Sequence, residues 1–230
     1  MIEHKPLLIV FAGPNGSGKS TVTEAARRYD EAFPSLYINA DDIAREQGMG
    51  AYDAALEAAR QREACIAKRQ SFAMETVMST PEKVELMRQA KREGYHVHLE
   101  YITTQHPAIN VDRIHNRVLD GGHDVPSEKI LSRYDRSMKL LAGAIETTDT
   151  ARIYNNSFES PVLIAEKSRD HEILIYPRPS PSRWNARRIM KLIGIKDATI
   201  IPENVRKGKA TVSDISSRQR KNQRPSKDKS

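Results

Sequence analysis

The chain has 230 residues, 38% of them apolar and 29% charged, enough for one sizeable core with elaborations and unlike a fibrous or wholly disordered chain. No apolar run approaches a membrane span, and the short "PLLIVFAG" runs straight into a glycine-rich loop, so neither a spanning helix nor a signal sequence is expected and the protein is expected to be cytoplasmic. The net charge of +7 is concentrated at the C-terminus: residues 202–230 hold nine Lys/Arg and three Asp/Glu, six of the seven net charges.

"PLLIVFAG" is continuously apolar and ends in glycine, the pattern of a buried parallel strand feeding a loop. The loop is "GPNGSGKST", which fits G-x-x-x-x-G-K-[S/T] with Gly13, Gly18, Lys19 and Ser20 in register and Asn15, Gly16, Ser17 and Thr21 completing it. In such a loop the glycines let backbone N–H groups face phosphates, Lys19 reaches the terminal phosphates and the Ser20 hydroxyl ligates Mg²⁺. The strand before it and the helix predicted over "KSTVTEAARRY" supply the context the motif requires. The expected ligand is ATP or GTP with Mg²⁺; the chain has no N-K-x-D guanine signature.

"SLYIN" predicts a second strand and "YDAALEAARQREACIAKRQ" a long helix, in which Cys65, the only cysteine, packs as a small apolar residue. Asp41 and Asp42 follow the second strand, where an α/β sheet places its ligands. Asp41 is expected to orient and deprotonate an acceptor hydroxyl, and Asp42 to cap the next helix or meet a metal through water. "SFAMETV" predicts a third strand ending in Glu75 and Thr76, placed to bind substrate hydroxyls or outer-shell metal water, or to serve as buried structure. A helix over "PEKVELMRQAKREG" and a strand over "YHVHLEYIT" follow.

From about residue 107 to 140 the pattern changes to two helices separated by "GGHDVP". Arg113 and Arg117 lie before this loop; Lys129, Arg133 and Arg136 form a basic stripe after it. Two such stripes around one loop, in a chain with a phosphate loop, fit a helical lid that delivers arginines to a γ-phosphate; without that loop, solvated helix faces would be the expected reading. Ile130, Tyr134, Met138 and Leu141 fall on another face and are expected in the core; His123, in the loop, is read as a turn or packing residue. "ARIYNNS", "PVLIAEKS" and "HEILIY" offer late strands, with "EKSRDHE" a hairpin turn or a loop, and "PSRWNARRIMKLIG" a closing helix. Tyr154 to Ser157 stand at adenine height, although a turn is the stronger reading of Asn-Asn. Strands alternating with helices predict a doubly wound, mostly parallel α/β sheet over residues 1–202. Residues 203–230 form a basic tail, too polar to repay its ordering entropy and expected to be disordered, with weak nucleic-acid contact as its candidate role.

In their order, "GPNGSGKST", "INADDIAR", "FAMETVMST", "RIHNRVLDGGHDVP", "ILSRYDRS" and "IYNNS" resemble the zeta-toxin family of P-loop kinases in its shorter bacterial branch, over roughly residues 5 to 180. The resemblance implies an adenylate-kinase-like core and transfer of the γ-phosphate of ATP to a small hydroxyl-bearing acceptor. For the best-known members the acceptor is UDP-N-acetylglucosamine and the outcome is toxicity; an antitoxin protein is a candidate partner, on which the resemblance itself is silent. It assigns Lys19 to the phosphates, Asp41 to acceptor activation, Arg117 and Arg133 to the γ-phosphate and Glu75, with Thr76 beside it, to the substrate. Two departures concern the acceptor: "ETVMST" lacks the arginine of the family's E-G-T-x-R stretch, and "GGHDVP" lengthens the loop between the two arginines. The expectation is thus an ATP- and Mg²⁺-dependent kinase for a nucleotide sugar. The alternatives are a kinase for another metabolite or a nucleic-acid end, and a nucleotide-dependent switch that binds an antitoxin.

Overall fold

In a computed structural model, residues 5–121, 124–177, 185–196 and 198–201 are described; the basic tail and His123 lie outside them. The first strand, β1 (Leu7–Ala12), shows why its sequence is apolar at every position. Leu8, Val10 and Ala12 pack into one core on one side of the sheet, while Ile9 and Phe11 pack into a second, smaller core on the other. A strand covered on both faces has no position left for a polar side chain.

The remaining elements in chain order are α1 (Lys19–Tyr29), β2 (Leu36–Ile38), α2 (Ala40–Gln47), α3 (Ala51–Ala67), β3 (Phe72–Thr76), α4 (Glu82–Arg92), β4 (His96–Thr103), α5 (Pro107–Leu119), α6 (Ser127–Thr147), β5 (Thr150–Asn155), β6 (Val162–Lys167), β7 (Ile173–Ile175), α7 (Ala186–Ile193) and β8 (Thr199–Ile200). One sheet runs β2-β3-β1-β4-β5-β6-β7-β8. Its first five strands are parallel; β6 is antiparallel to both neighbours, and β8 is parallel to β7. The doubly wound, mostly parallel α/β fold expected from the sequence is therefore present. "EKSRDHE" resolves as a hairpin turn, closed by Ser168 N donating to the Glu172 carbonyl at 2.9 Å.

The face carrying Leu8 and Val10 is the larger core, where the inward residues of α3, α4, α6 and α7 meet the sheet; Val22 of α1 belongs to the other. The lid expected over 107–140 takes a different form. The second of its helices, α6, continues to Thr147, and Ile130, Tyr134, Leu141, Ala144 and Ile145 along it are buried, so most of its length is core. Lys167, buried at the end of β6, finishes this helix by donating to the carbonyls of Ile145 at 2.8 Å and Thr148 at 2.6 Å. These are C-terminal groups that the helix itself cannot satisfy.

Parallel register brings four strand ends to one level: Ala12 lies opposite Thr76 on one side and Tyr101 on the other, and Thr103 lies opposite Asn155. The segments that follow those residues form a single crevice at the carboxyl edge of the sheet, where ligands of open α/β sheets bind.

Candidate active site

The loop after β1 turns on backbone that only glycine supplies without strain. Gly13 has φ +145°, and a Cβ there would stand 2.0 Å from the Ile102 carbonyl oxygen. Gly18 has φ +87° and opens α1, with no side chain capping that helix. The first N–H groups of α1 and its positive end therefore face the crevice, the arrangement that binds an anion. Ser17 is fully buried and its hydroxyl has no partner among the described residues.

Two asparagines hold this loop from neighbouring elements. Asn110, fully buried on α5, donates from Nδ2 to the Asn15 carbonyl at 2.6 Å and accepts from the Thr104 hydroxyl. Asn156, just past β5, donates from Nδ2 to the Ser17 carbonyl at 2.8 Å. Its backbone N–H is tied to the Thr103 carbonyl at 2.7 Å. A turn was the stronger reading of Asn-Asn, and the turn is there, with Asn155 Oδ1 accepting from Ser157 N at 3.1 Å. The Asn156 amide, however, is spent on the phosphate loop and does not read a base. Asn110 escaped sequence reasoning altogether, because an asparagine one turn into a helix carries no motif.

Lys19 is buried, with Nζ donating to the Pro14 carbonyl at 3.0 Å. Burial pulls its pKa below the usual lysine value; the negative charges of Glu75 and then Asp41 oppose this, and the positive charge of Arg117 adds to it. One amine thus feels three of the residues singled out in the sequence, drawn from β3, α2 and α5. A fourth, Arg133 of α6, reaches the loop directly, donating to Asn15 Oδ1 at 3.4 Å. Lys129 and Arg136 of the same stripe are exposed, and Arg113 donates to the Phe158 carbonyl at 3.4 Å.

Glu75 sits against the start of α1. It accepts from the Ser20 hydroxyl at 3.1 Å, the Thr23 hydroxyl at 3.2 Å and the Tyr37 hydroxyl at 3.2 Å, and Asn39 Nδ2 donates to the Tyr37 oxygen at 3.3 Å. Burial first, then the Glu75 charge, raise the Tyr37 pKa well above that of an ordinary tyrosine. Thr76 uses its hydroxyl oxygen to accept from Met78 N at 3.0 Å, fixing a turn in which Met78 is buried with φ +51°. The capping role weighed for Asp42 belongs to Asn39, whose side chain accepts from Asp41 N at 3.1 Å; Asp42 pairs with Arg45 at 2.6 Å. Asp41 is exposed in the first turn of α2, with no side-chain partner among the described residues, and its negative charge acts on Lys19.

Among the described residues no group of three His, Cys, Asp or Glu side chains is placed to hold a metal by itself. The donor set instead fits Mg²⁺ shared with phosphate oxygens and water, an ion that takes only one or two protein oxygens in such sites: the Ser20 hydroxyl with Glu75 beside it.

The model of one protein family, described as zeta toxin, matches residues 2–178. The chain belongs to the zeta toxin family. A relative of this zeta toxin family member, an uncharacterised protein of Haemophilus influenzae, is 32% identical over 131 residues, covering 55% of the chain and 91% of that protein. Among solved structures, the AvrRxo1-ORF1:-ORF2 complex with ATP superposes with a TM-score of 0.59 at 14% identity, over 83% of the chain and 64% of its counterpart, so the chain spans just under two thirds of that protein. The PezAT chromosomal toxin-antitoxin system of Streptococcus pneumoniae gives 0.53 at 14% identity, over 96% and 88%. The Pnkp1/Rnl/Hen1 RNA repair complex gives 0.51 at 14%, over 98% and 88%. At these identities the likeness is one of fold.

Proposed function

We propose that the protein is an ATP- and Mg²⁺-dependent kinase that transfers the γ-phosphoryl group to a hydroxyl of a small molecule, with UDP-N-acetylglucosamine or a related nucleotide sugar as the favoured acceptor. The observation that carries this reading is the convergence on Lys19: a phosphate-loop lysine whose charge is felt by Asp41, Glu75 and Arg117 together. A binding module needs the loop and its lysine, but has no use for an exposed carboxylate whose charge acts on that lysine.

In this reading Lys19, Arg117 and Arg133 hold the oxygens of the transferring group and spread its charge, which is most of what a phosphoryl-transfer enzyme must do. Asp41 accepts the proton of the acceptor hydroxyl as its oxygen bonds to the γ-phosphorus and the bond to the β–γ bridging oxygen breaks, leaving ADP. Glu75, anchored by Tyr37 and Thr23, holds Ser20 in place beside the ion. Mg²⁺, when bound, neutralises charge on the β- and γ-phosphate oxygens. Phe158, exposed just beyond Asn156, with Arg113 at its carbonyl, offers an aromatic face for the base. The likeness to PezAT supports an antitoxin protein as partner, and weak nucleic-acid contact is left to the basic tail.

The test is acceptor-dependent ADP formation across a panel of nucleotide sugars, with mass spectrometry of the products, for wild type and Asp41→Ala. A phosphorylated UDP-N-acetylglucosamine made only by the wild type supports the whole reading. Equal, slow ADP formation by both proteins with every nucleotide sugar overturns that class of acceptor and the part given to Asp41. A product from another acceptor retains the kinase and replaces the substrate.

A further inference from the structure

Between α2 and the phosphate loop the backbone does little to fix a separation. β2 is an edge strand of three residues that pairs, among the described strands, only with β3, and of the eight residues of α2 only Ile43 is buried. Asp41 stands in the first turn of that helix, whereas Ser20 belongs to α1 and Glu75 to β3. The base and the candidate ion site thus ride on separate elements, and an in-line phosphoryl transfer tolerates little drift between them. Side chains supply what the backbone lacks.

Asn39 continues the extended backbone of β2 by one residue, with φ −132° and ψ 123°, before α2 begins. Residues two apart on an extended chain share a face, so its side chain lies beside that of Tyr37. Tyr37 is level with Ala73 of β3, and Glu75, two residues beyond Ala73, projects to the same face, the one that α1 covers through Val22. The Asn39 amide is used at both ends: Oδ1 accepts from Asp41 N at 3.1 Å, and Nδ2 donates to the Tyr37 oxygen at 3.3 Å. A backbone N–H can only donate, which fixes the end of the amide that faces Asp41 and turns its N–H groups to Tyr37. The Tyr37 hydroxyl gives its single proton to Glu75 Oε2 at 3.2 Å, and Glu75 Oε1 accepts from the Ser20 hydroxyl at 3.1 Å. Phe33, 6.3 Å away ring to ring, and the Arg27 guanidinium, 4.8 Å from the ring centre, keep the phenol in place. An unbroken run of hydrogen bonds therefore leads from the Asp41 backbone to the Ser20 hydroxyl, and every donor in it meets an acceptor.

We propose that Asn39 and Tyr37 are positioning residues for phosphoryl transfer, whose run of bonds sets Asp41 against the Ser20–Glu75 pair that fits Mg²⁺. The inference rests on the kinase reading and deepens it. A helix cap needs only the Asn39 side-chain oxygen, and serine, threonine or aspartate would serve as well; the bond from Nδ2 to Tyr37 adds nothing to a cap. Because the run serves Asp41 and Glu75 rather than the phosphate loop, it governs turnover more than nucleotide binding.

Two variants cut the run and keep the cap. Asn39→Ser retains an oxygen for Asp41 N and loses the donor to Tyr37; Tyr37→Phe retains the ring and loses the hydroxyl. Amide hydrogen exchange of the nucleotide-free full chain, read by NMR, tests the run without any reaction. Asp41 N should exchange about tenfold faster in Tyr37→Phe, although the lost hydroxyl is two hydrogen bonds away from it, while Ala54 N at the start of α3 keeps its rate. Kinetics with UDP-N-acetylglucosamine at saturating Mg²⁺ test the role. Each variant should lower kcat about tenfold and leave the affinity for Mg²⁺ with β,γ-methylene-ATP within about twofold, and the double variant should lose no more than either single one, because both cut the same run. Unchanged Asp41 exchange in Tyr37→Phe overturns the run of bonds. Wild-type kcat in Asn39→Ser, or losses that multiply in the double variant, would leave Asn39 an ordinary cap and overturn the positioning role. If the wild type phosphorylates no nucleotide sugar, that acceptor has failed on its own account, and the exchange rates still decide whether Asn39 and Tyr37 hold Asp41 to Glu75.

Discussion

Replacing Asn156 by alanine tests how the phosphate loop is held. In the wild type the Asn156 amide lies so close to Gly18 that a Cβ there would stand 2.2 Å from Nδ2, and it satisfies the Ser17 carbonyl at 2.8 Å in a setting where Asn156 is only 8% exposed. Alanine leaves that carbonyl unpaired, at a cost of about 1–3 kcal/mol for a buried polar group. Taking about 2 kcal/mol, a chain of this size should lose about 4–8 °C of melting temperature. The loop then samples other conformations before it can meet phosphate, and nucleotide affinity should fall about tenfold, or about 1.4 kcal/mol. Calorimetric titration of Mg-ATP and urea denaturation read the two effects separately. Asn156→Asp should be worse than alanine for nucleotide, since it aims a carboxylate at a carbonyl oxygen and brings negative charge to a phosphate site. If Asn156→Ala keeps wild-type stability and affinity, the loop is not held by this bond. If Asn156→Asp binds nucleotide as well as Asn156→Ala, phosphate does not sit on this loop.

Glu75→Gln keeps the shape but not the charge beside Ser20, so the Mg²⁺ concentration giving half-maximal turnover should rise about tenfold. The Tyr37 hydroxyl should also ionise at lower pH, which ultraviolet titration follows; a Tyr37 titration identical to wild type would show that Glu75 does not hold it. Asp149 has its pKa held below 3.8: burial alone would raise it, but hydrogen bonds from Lys91 and from Val97 N outweigh burial. The carboxylate's contribution is thus complete above 3.8, the unfolded value, and disappears as pH falls through the lower folded value. Asp149→Asn should therefore cost stability at neutral pH and nearly nothing in strong acid, and a constant difference between the two urea midpoints across that range would contradict it. Lys167→Met removes the amine that satisfies the end of α6 and should cost about 1–3 kcal/mol by chemical denaturation. Unchanged stability would mean that water replaces it.

The sequence alone was enough for whatever depends on neighbours along the chain. The uninterrupted apolar run of Leu7–Ala12, the glycines and lysine after it, and the alternation of strands and helices follow from local sterics and periodicity, and they led directly to a parallel sheet with a phosphate loop at its edge. Lys19, Ser20, Asp41 and Glu75 were legible because each closes or follows a strand, and strand ends are visible in sequence. What each of them touches was not. That Glu75 holds Ser20 and Tyr37 depends on β3 lying between β1 and β2, an order set by packing of the crossover helices. That α6 is core up to Thr147 depends on which of its faces meets the sheet. Asn110 supports a carbonyl ninety-five positions away, and Arg62 reads as one more charge in a helix of mixed charge until the inward face of α3 is packed against the sheet and buries it. A hydrogen bond or a desolvated charge between distant segments leaves no periodic trace in either of them, and only the folded backbone decides which distant groups meet.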